Sequence, residues 1–204
     1  MTAPTPRDMW EQRYGADEYI YGTEPNDFLR ASVVELAPGR ALCYAEGEGR
    51  NSVFLAEQGW QVSAIDLTEA GVAKTRRLAA DRSVIVDAEV ADLADYDLGE
   101  NQWDLVVSIF AHMPPPIRTR IHNAMASALA PGGRLVLEAY TPDQIGRGTG
   151  GPPVPELTMT LDELQRDLIG LDIVHAAELE RTVVEGPGHT GVGAVVQVIA
   201  RRAD

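Results

Sequence analysis

Cysteine is almost absent from this chain: Cys43 is the only one among 204 residues. A single cysteine excludes an internal disulfide and any metal site built from several thiolates. Cys43 stands inside an apolar stretch, which is typical of a buried and chemically inert thiol. The histidines and acids show no ligand spacing that predicts a metal site, so we expect none.

Long apolar runs and an excess of basic residues are also missing. No stretch approaches the roughly 18 apolar residues of a membrane helix, and residues 1–8 lack the apolar centre of a secretory signal. The 17 basic residues are outnumbered by 31 acidic ones, and the net charge of −14 disfavours a phosphate-binding surface. We therefore expect a cytoplasmic protein, a monomer or homodimer, that binds neither nucleic acid nor a membrane.

What the chain does contain is a glycine-rich turn between two apolar runs. The first run covers 41–45, Gly47 and Gly49 follow, a helical pattern covers 51–58, and the second run ends at Asp66. Glycine lets the backbone turn sharply and lets a ligand lie against the main chain. The first amides of the helix can face an anionic group, and the carboxylate at the end of the second strand suits a ribose diol. The pattern predicts a nucleoside-type cofactor.

Strand-like and helical patterns alternate from residue 40 onward. The predicted strands cover residues 41–45, 62–65, 84–90, 105–110 and 135–139, and the predicted helices cover 51–58, 69–80 and 117–129. Such alternation predicts a parallel sheet with helices on both faces. Two last runs, at 171–179 and 194–200, predict a closing hairpin. The expected fold class is α/β, a Rossmann-like, doubly wound, mostly parallel sheet with an antiparallel C-terminal hairpin.

The remaining segments lie outside this alternation. Residues 1–7 are predicted to form a disordered tail, and residues 8–36 carry interrupted helical spacing. We expect residues 1–39 to be an N-terminal tail and helical cap, and residues 40–204 to be the Rossmann-like domain, within one structural domain. Residues 147–155 are rich in glycine and proline, and we predict that they form a lid.

The glycine turn by itself is compatible with more than one nucleoside cofactor. A nicotinamide dinucleotide site uses G-x-G-x-x-G/A, with an acid about 20 residues further on. The run at 47–52 approximates this pattern with Ser52 in the third position, and Asp66 stands near the expected acid. Glu46 and Glu48 would repel a pyrophosphate there. An NAD(P)-dependent oxidoreductase stays open as an alternative, as does a cofactor-binding or regulatory module without catalysis.

Several motifs, in the right order, resemble those of the class I methyltransferases, which use S-adenosylmethionine. The turn at 45–49 resembles their first motif, Asp66 the acid that ends their second strand, and Asp92 the acid after their third. The run at 103–108 resembles their fourth strand, and 129–137 holds a Leu-x-Pro-Gly-Gly turn like the one before their fifth. The resemblance covers most of the chain.

The first motif departs from the family at two positions. Cys43 stands where the family usually has an acid, and Ala45 replaces its first glycine. We expect Glu46 to face the cofactor and Glu48 to face solvent. The resemblance implies S-adenosylmethionine as cofactor and S-adenosylhomocysteine as product. The cofactor-binding residues that it implies are Glu46, Gly47, Gly49, Asn51, Asp66, Leu67, Asp92, Leu93 and Ser108.

The N-terminal segment narrows the resemblance. Trp10, Tyr14 and the run at 21–29 look like the entry segment of tellurite-resistance and thiopurine-type methyltransferases, and 46–51 resembles their glycine loop. In that group the entry segment folds over cofactor and substrate. The resemblance implies methyl transfer to a small molecule. A thiol or other chalcogen nucleophile is the favoured acceptor, with an oxygen or nitrogen acceptor close behind.

Polar residues after the predicted strands are the candidates for handling the acceptor, because open α/β sheets bind ligands outside the carboxyl ends of their strands. His112 follows the fourth strand, Tyr140 follows the fifth, and His189 lies in the predicted hairpin loop. A histidine can accept a proton near neutral pH. We predict these three as catalytic residues, and we expect His122 and His175 to be structural.

Overall fold

The computed structural model describes residues 4–204. Two helices, α1 (Pro6–Tyr14) and α2 (Asp27–Val33), precede the sheet. The elements that follow are β1 (Arg40–Tyr44), α3 (Arg50–Glu57), β2 (Gln61–Asp66), α4 (Glu69–Asp81), β3 (Asp87–Val90), β4 (Trp103–Ile109), α5 (Pro115–Ala128), β5 (Leu129–Tyr140), α6 (Leu161–Asp167), β6 (Asp172–Glu185) and β7 (His189–Arg201). Short 3-10 turns at Pro142–Gln144 and Pro155–Leu157 flank the glycine-rich loop.

The strands form one sheet in the order β3-β2-β1-β4-β5-β7-β6. Strands β1 to β5 pair in parallel, and β7 runs antiparallel to both of its neighbours. The predicted fold class, with its antiparallel C-terminal hairpin, is confirmed. Because the chain order reverses between β1 and β4, the carboxyl ends of these two strands flank the crevice in which doubly wound sheets bind ligands.

The central strands are apolar on both faces because helices cover both sides of the sheet. In β1, Leu42 packs into one core cluster and the adjacent Cys43 into another. In β4, Val106 and Leu105 divide in the same way. This alternation explains why the strands appear in the sequence as unbroken apolar runs. Burial also raises the pKa of the Cys43 thiol well above its usual range, which keeps it protonated.

The structure corrects the start of the chain. Helix α1 begins at Pro6, so residues 6 and 7 are helical instead of belonging to a tail, and residues 1–3 lie outside the described residues. Thr5 caps the helix: its side chain accepts the N–H of Asp8, whose carboxylate accepts the N–H of Thr5 in return. This reciprocal capping box satisfies two backbone donors and fixes the first turn.

The terminal hairpin is longer than predicted. Strands β6 and β7 pair from Asp172 opposite Arg201 to Glu185 opposite His189, so His189 opens β7 instead of lying in a loop. Strand β6 is the edge of the sheet, and most of its side chains are exposed. Backbone pairing with β7 extends the strand through residues whose mixed polarity gave no apolar run.

Candidate active site

The backbone of the turn after β1 lies very close to groups from other parts of the chain. Gly47 and Gly49 have φ angles of +69° and +96°, in the left-handed region that favours glycine. A Cβ on Gly47 would lie 2.7 Å from Tyr14 Oη, and a Cβ on Gly49 would lie 2.7 Å from the Cα of Thr75. Both positions therefore need glycine for backbone shape and for close approach.

Two other residues hold the left-handed conformation at the same edge of the sheet. Ala45, directly after β1, has a φ of +48°, and Phe110, directly after β4, has a φ of +52°. This conformation costs an L-residue roughly 1–2 kcal/mol. Such strain concentrates at functional sites, and these two residues flank the crevice between β1 and β4.

Glu46 closes the first turn of α3. Its Oε1 accepts the backbone N–H groups of Asn51, at 3.1 Å, and Ser52, at 2.7 Å. A carboxylate complements the positive end of the helix dipole, while burial raises the pKa of Glu46 to about 7. The amide of Asn51, which the sequence suggested for an anionic ligand, is thus occupied by this carboxylate.

Glu48 is buried, so the expectation that it faces solvent is wrong. Its Oε1 lies 2.7 Å from Lys74 Nζ, and its Oε2 accepts the backbone N–H of Tyr21 at 3.2 Å. Lys74 also donates to the carbonyl of Glu18 at 2.6 Å. The lysine compensates the buried charge, and the glycine turn is tied to the N-terminal segment.

Asp66 ends β2 and is only 8% exposed. Its Oδ2 accepts the N–H of Gly47 at 2.8 Å, and its Oδ1 accepts both the N–H and the hydroxyl of Thr68. Thr68 is the N-cap of α4. Burial raises the pKa of the carboxyl. Asp66 therefore holds the glycine turn against the end of β2, and its contact with a ribose stays a prediction.

The other predicted cofactor residues line the ends of β2, β3 and β4. The carbonyl of Leu67 accepts a hydrogen bond from Arg7 of α1. Asp92 is exposed and accepts a backbone N–H two residues further on. Leu93 packs into the core, and Ser108 is buried within β4. Of these side chains, Asp92 alone presents a carboxylate to solvent.

A buried polar network links the N-terminal segment to β5 and the hairpin. Arg181 donates to both oxygens of Glu138, at 2.7 and 2.6 Å, and to Glu185 at 3.0 Å. Asn26 donates to Glu138 at 2.5 Å and to Glu185 at 2.9 Å. Gln197 adds a further bond to Glu138 at 2.6 Å. Sequence reasoning missed all five residues, because each finds its role only through partners distant in the chain.

Arg50 joins this network to the glycine turn. It is the first residue of α3, and its Nη2 lies 2.6 Å from Glu185 Oε2. Burial favours the neutral form of Glu185, but His189 and Arg50 outweigh it and lower the pKa of Glu185 to about 2. The carboxylate is therefore ionised near neutral pH. The Nη1 atom of Arg50 is buried and has no hydrogen-bond partner within residues 4–204.

His112 follows β4 and stacks with Phe110 and Tyr140. Its Nδ1 lies 2.8 Å from the carbonyl of Leu157, so Nδ1 carries the proton and Nε2 keeps its lone pair. The backbone N–H of Tyr140 approaches that Nε2 at 3.5 Å. Burial lowers the pKa of His112 to about 4, so the ring is neutral at pH 7.

His189 and Tyr140 meet in an aromatic cluster. The ring centroid of His189 lies 4.4 Å from Tyr21, 4.8 Å from Phe110 and 5.3 Å from Tyr140. Burial lowers the pKa of His189 and raises that of Tyr140, so both side chains are neutral near pH 7. Neither His189 Nδ1 nor the Tyr140 hydroxyl has a partner among the described residues. The structure thus brings together His112, Tyr140 and His189.

The predicted lid contacts the same cluster. Gln144 donates to Thr149 Oγ1 and to the carbonyl of Gly150, both at 2.9 Å, and accepts the N–H of Ala194. A Cβ on Gly150 would lie 2.6 Å from the carbonyl of Gly188. The glycine-rich loop therefore touches the tip of the terminal hairpin, and its closure over a ligand stays a prediction.

The remaining histidines stand apart from this edge. His122 on α5 is fully buried, with its Nδ1 3.5 Å from Asp167 Oδ2, and burial lowers its pKa. His175 on β6 is exposed beside Phe28. Over residues 4–204, no group of three or more potential ligands is placed to hold a metal ion. Across that same range, no helix has the length and apolarity needed to span a bilayer.

Residues 41–133 match the family model described as a methyltransferase domain. The match begins in β1 and includes the glycine turn, Asp66 and the start of β5. This segment is therefore similar to a methyltransferase domain, and the motifs along the chain resemble those of the class I methyltransferases. S-adenosylmethionine is the cofactor of this family, in agreement with the resemblance seen in the motifs.

The sequence is also similar to named methyltransferases. A ubiquinone biosynthesis O-methyltransferase from Xanthomonas euvesicatoria pv. vesicatoria (strain 85-10) is 37% identical over 134 residues. The aligned region covers 64% of this chain and 55% of that protein. This chain therefore spans about half the length of the curated relatives that it matches.

Solved structures share the fold at lower identity. TehB from Haemophilus influenzae has a TM-score of 0.70 and 17% identity, covering 96% of this chain and 66% of TehB. An S-adenosylmethionine dependent methyltransferase from Mesorhizobium loti has a TM-score of 0.66 and 23% identity, covering 85% of this chain and 95% of that one. At these identities the likeness establishes the architecture.

The residues at this edge fit the family's cofactor. Gly47 has no side chain, and its backbone lies between the Tyr14 hydroxyl and the Asp66 carboxylate. A nucleoside placed against this turn would meet an aromatic ring and an acid suited to a diol. Arg50, directly after this turn, has a buried Nη1 without a partner in the described chain, and the Tyr140 hydroxyl at the end of β5 is also unpaired there. The cradle and the unpaired polar atoms both accord with a bound cofactor and acceptor.

Proposed function

We propose that this protein transfers a methyl group from S-adenosylmethionine to a small molecule. The observation that carries the proposal is the meeting of two residue sets at one edge of the sheet. The glycine turn and Asp66 lie at the ends of β1 and β2. His112, Tyr140 and His189 lie at the ends of β4 and β5 and the start of β7. The match of residues 41–133 to a methyltransferase domain supports the cofactor, and the adjacent cluster supports an acceptor beside it.

As acceptor we propose a thiol or another soft chalcogen nucleophile, with an oxygen nucleophile as the second candidate. The resemblance of the entry segment to tellurite-resistance and thiopurine-type enzymes supports the first. The ubiquinone biosynthesis O-methyltransferase relative supports the second. The two differ chemically: a thiol with a pKa of about 8.5 ionises with modest help, whereas a hydroxyl needs a positioned base.

The proposed mechanism assigns a different task to each polar residue of the cluster. When bound, S-adenosylmethionine supplies an electrophilic methyl group on a positively charged sulfur. His189 takes the proton of the acceptor, since its ring is neutral and the carboxylate of Glu185, 3.9 Å from Nδ1, stabilises the imidazolium that forms. Tyr140 stays protonated and donates a hydrogen bond to the acceptor. His112 fixes the backbone of Tyr140 and of Leu157.

In this proposal, residues 1–39 act as a cap that helps to align the acceptor with the methyl group. Tyr21 donates its N–H to Glu48, and Asn26 donates its N–H to Asn51, so both anchors lie in or next to the glycine turn. The ring of Tyr21 also packs on His189. Alignment of this kind is worth on the order of 7–11 kcal/mol in the best intramolecular reactions.

The cofactor part of the proposal is tested by titration calorimetry with S-adenosylmethionine, S-adenosylhomocysteine and NAD. We expect the first two to bind and NAD not to bind. Asp66→Asn should raise the dissociation constants of both S-adenosyl compounds by roughly tenfold or more, which corresponds to about 1.4 kcal/mol of binding free energy. Asp104→Asn is the matched control, because Asp104 accepts the N–H of Arg40 at the opposite edge of the sheet. Binding of NAD alone would contradict the proposal.

The transfer itself is tested by the release of S-adenosylhomocysteine in the presence of thiol, phenol and amine panels. Turnover with thiols ahead of phenols supports the favoured acceptor, and the reverse order supports the second candidate. A protein that binds the cofactor and methylates no member of the three panels would contradict an enzymatic role.

A further inference from the structure

Three buried side chains near the hairpin tip present polar atoms without partners. Arg50, Tyr140 and His189 are 6%, 0% and 7% exposed, and Arg50 Nη1, Tyr140 Oη and His189 Nδ1 make no hydrogen bond within residues 4–204. Glu185 connects them, since its Oε2 lies 2.6 Å from Arg50 Nη2 and 3.9 Å from His189 Nδ1. Buried polar groups in folded proteins are normally paired, so this cluster is suited to a ligand that supplies the missing bonds.

Tyr140 and His189 lie on the acceptor side of the site, and the Arg50 side chain reaches them from the start of α3 through Glu185. Asp66 ends β2 and Tyr140 ends β5, with β1 and β4 between these strands. Three interstrand spacings of about 4.8 Å place the two ends about 14 Å apart. A nucleoside held at Asp66 therefore leaves the Tyr140 side of the crevice to the molecule that receives the methyl group.

Of the two arginines in this network, Arg50 has a donor atom without a partner within residues 4–204. Glu138 accepts two hydrogen bonds from Arg181, and further bonds reach it from Asn26 and Gln197. The guanidinium of Arg181 is thus engaged with carboxylates, whereas Arg50 has its Nη1 to spare. A guanidinium is matched best by a planar anion such as a carboxylate.

Aromatic rings pack around His189, which lies beside the same carboxylate, Glu185, as Arg50. The rings of Tyr21 and Phe110 lie 4.4 and 4.8 Å from that of His189, and Phe110 stacks on Tyr140 at 4.5 Å. Aromatic faces pack favourably against another planar ring. The cluster around Glu185 therefore combines a donor for an anion with aromatic rings that favour a planar group.

We propose that the methyl acceptor is a small aromatic acid with a thiol or hydroxyl on its ring: that sulfur or oxygen receives the methyl group and gives its proton to His189, while the carboxylate binds Arg50 Nη1 and the Tyr140 hydroxyl and the ring lies beside Tyr21 and Phe110. This inference rests on the proposed function and adds the class of substrate. It assigns Arg50 to the selection of the acceptor, and it makes Glu185 a competitor for the same guanidinium. Loss of the Glu185 charge should therefore strengthen binding of the acid.

The test is calorimetry with benzoate and benzamide, which have nearly the same shape and differ in charge, with and without S-adenosylhomocysteine. The wild-type protein should prefer benzoate by roughly tenfold or more. Arg50→Met should remove the preference, and Glu185→Gln should increase benzoate affinity about threefold or more. Arg40→Met is the matched control, because Arg40 pairs with Asp104 at the opposite edge of the sheet, and it should keep the wild-type preference.

The other results overturn either the inference or the proposed function on which it rests. Equal binding of the two probes, or binding of neither, excludes an anion subsite, and so does a preference that survives in Arg50→Met. If Arg50→Met fails to fold, the decision falls to Glu185→Gln, and a decrease in its benzoate affinity counts against the inference. Loss of S-adenosylhomocysteine binding in Arg50→Met would assign this residue to the cofactor instead. A wild-type protein that prefers benzoate but binds no S-adenosylhomocysteine would leave the subsite standing and contradict the proposed function.

Discussion

The cofactor half and the acceptor half of this site treat their polar groups in opposite ways. In the cofactor half, at the ends of β1 and β2, the carboxylates of Glu46, Glu48 and Asp66 all accept hydrogen bonds from the chain itself. In the acceptor half, at the ends of β4 and β5, the Tyr140 hydroxyl is a buried donor unpaired within the described residues, and so is Arg50 Nη1, which reaches this half from the start of α3 through Glu185. A preorganised turn is thus held by hydrogen bonds to its own acids, whereas a subsite for a variable ligand keeps buried donors available for hydrogen bonds to that ligand.

The largest expected effect is on the folding of the acceptor half. Glu138→Ala should reduce the free energy of unfolding by about 3–5 kcal/mol, because Arg181 keeps only Glu185 as a carboxylate partner and the buried amide of Gln197 loses its acceptor. Denaturant unfolding measures this loss. Glu180→Ala, which removes an exposed acid from β6, is the control and should leave the unfolding midpoint unchanged. A Glu138→Ala midpoint equal to that of the control would show that the network does not brace this half.

The next effect separates two histidines of the acceptor half. His189→Ala should lower kcat by roughly 10²-fold, the ordinary contribution of a proton acceptor. His112→Ala should mainly raise KM for the acceptor, since both ring nitrogens contact the backbone of Leu157 or Tyr140. Steady-state kinetics with a turned-over acceptor distinguishes them. Equal losses of kcat in the two variants would contradict the assignment of proton transfer to His189 and of positioning to His112.

The next prediction concerns the pH dependence of the free energy of unfolding and His122, which belongs to neither half. Burial holds the pKa of His122 below its ordinary value of about 6.5, while Asp167 opposes and Arg118 reinforces this effect. Below pH 6.5 the unfolded chain therefore binds a proton on His122 that the folded chain binds only at lower pH. The contribution of neutral His122 to the free energy of unfolding is thus fully present above pH 6.5 and is lost as the pH falls. His122→Leu should flatten this loss, by at most about 1.4 kcal/mol per pH unit. An unchanged slope in urea unfolding between pH 6.5 and 5 would contradict it.

The smallest effect concerns strain in the cofactor half. Ala45→Gly should stabilise the fold by up to about 1 kcal/mol, because relief of the positive φ outweighs the added freedom of the unfolded chain. Ala41→Gly, in the regular part of β1, should destabilise instead. Thermal unfolding of the two variants tests whether this half carries the strain, and a lower midpoint for Ala45→Gly would show that it does not.

Much of the cofactor half was predictable because its signals are local. Gly47, Gly49 and Asp66 lie within a short stretch, where a turn that needs positive φ and a strand that ends in an acid are visible from residue types. The positions of His112 and Tyr140 followed from the rule that ligands bind at the carboxyl ends of strands. Their roles toward cofactor and acceptor remain predictions.

The exposure of individual acids was harder to predict, and Glu48 shows why. A glutamate in a glycine loop is expected to face solvent, since burial of an unpaired charge is costly. Lys74 approaches from α4 and removes that cost, and the N–H of Tyr21 adds a bond from the N-terminal segment. Neither partner is marked by spacing or periodicity. Arg50, in the same turn, was missed as a site residue for the same reason, because its partner Glu185 lies in the hairpin.

The amino-acid sequence by itself determined the α/β architecture and the place of the glycine turn, because apolar periodicity and the backbone demands of glycine act over a few neighbouring residues. Tertiary structure alone decided which charges are buried and which remain unpaired. The bond from Asn26 to Glu138 joins residues 112 positions apart, and that from Asn26 to Glu185 spans 159. Desolvation and compensation of a charge depend on all the groups that surround it, and folding assembles those groups from distant parts of the chain.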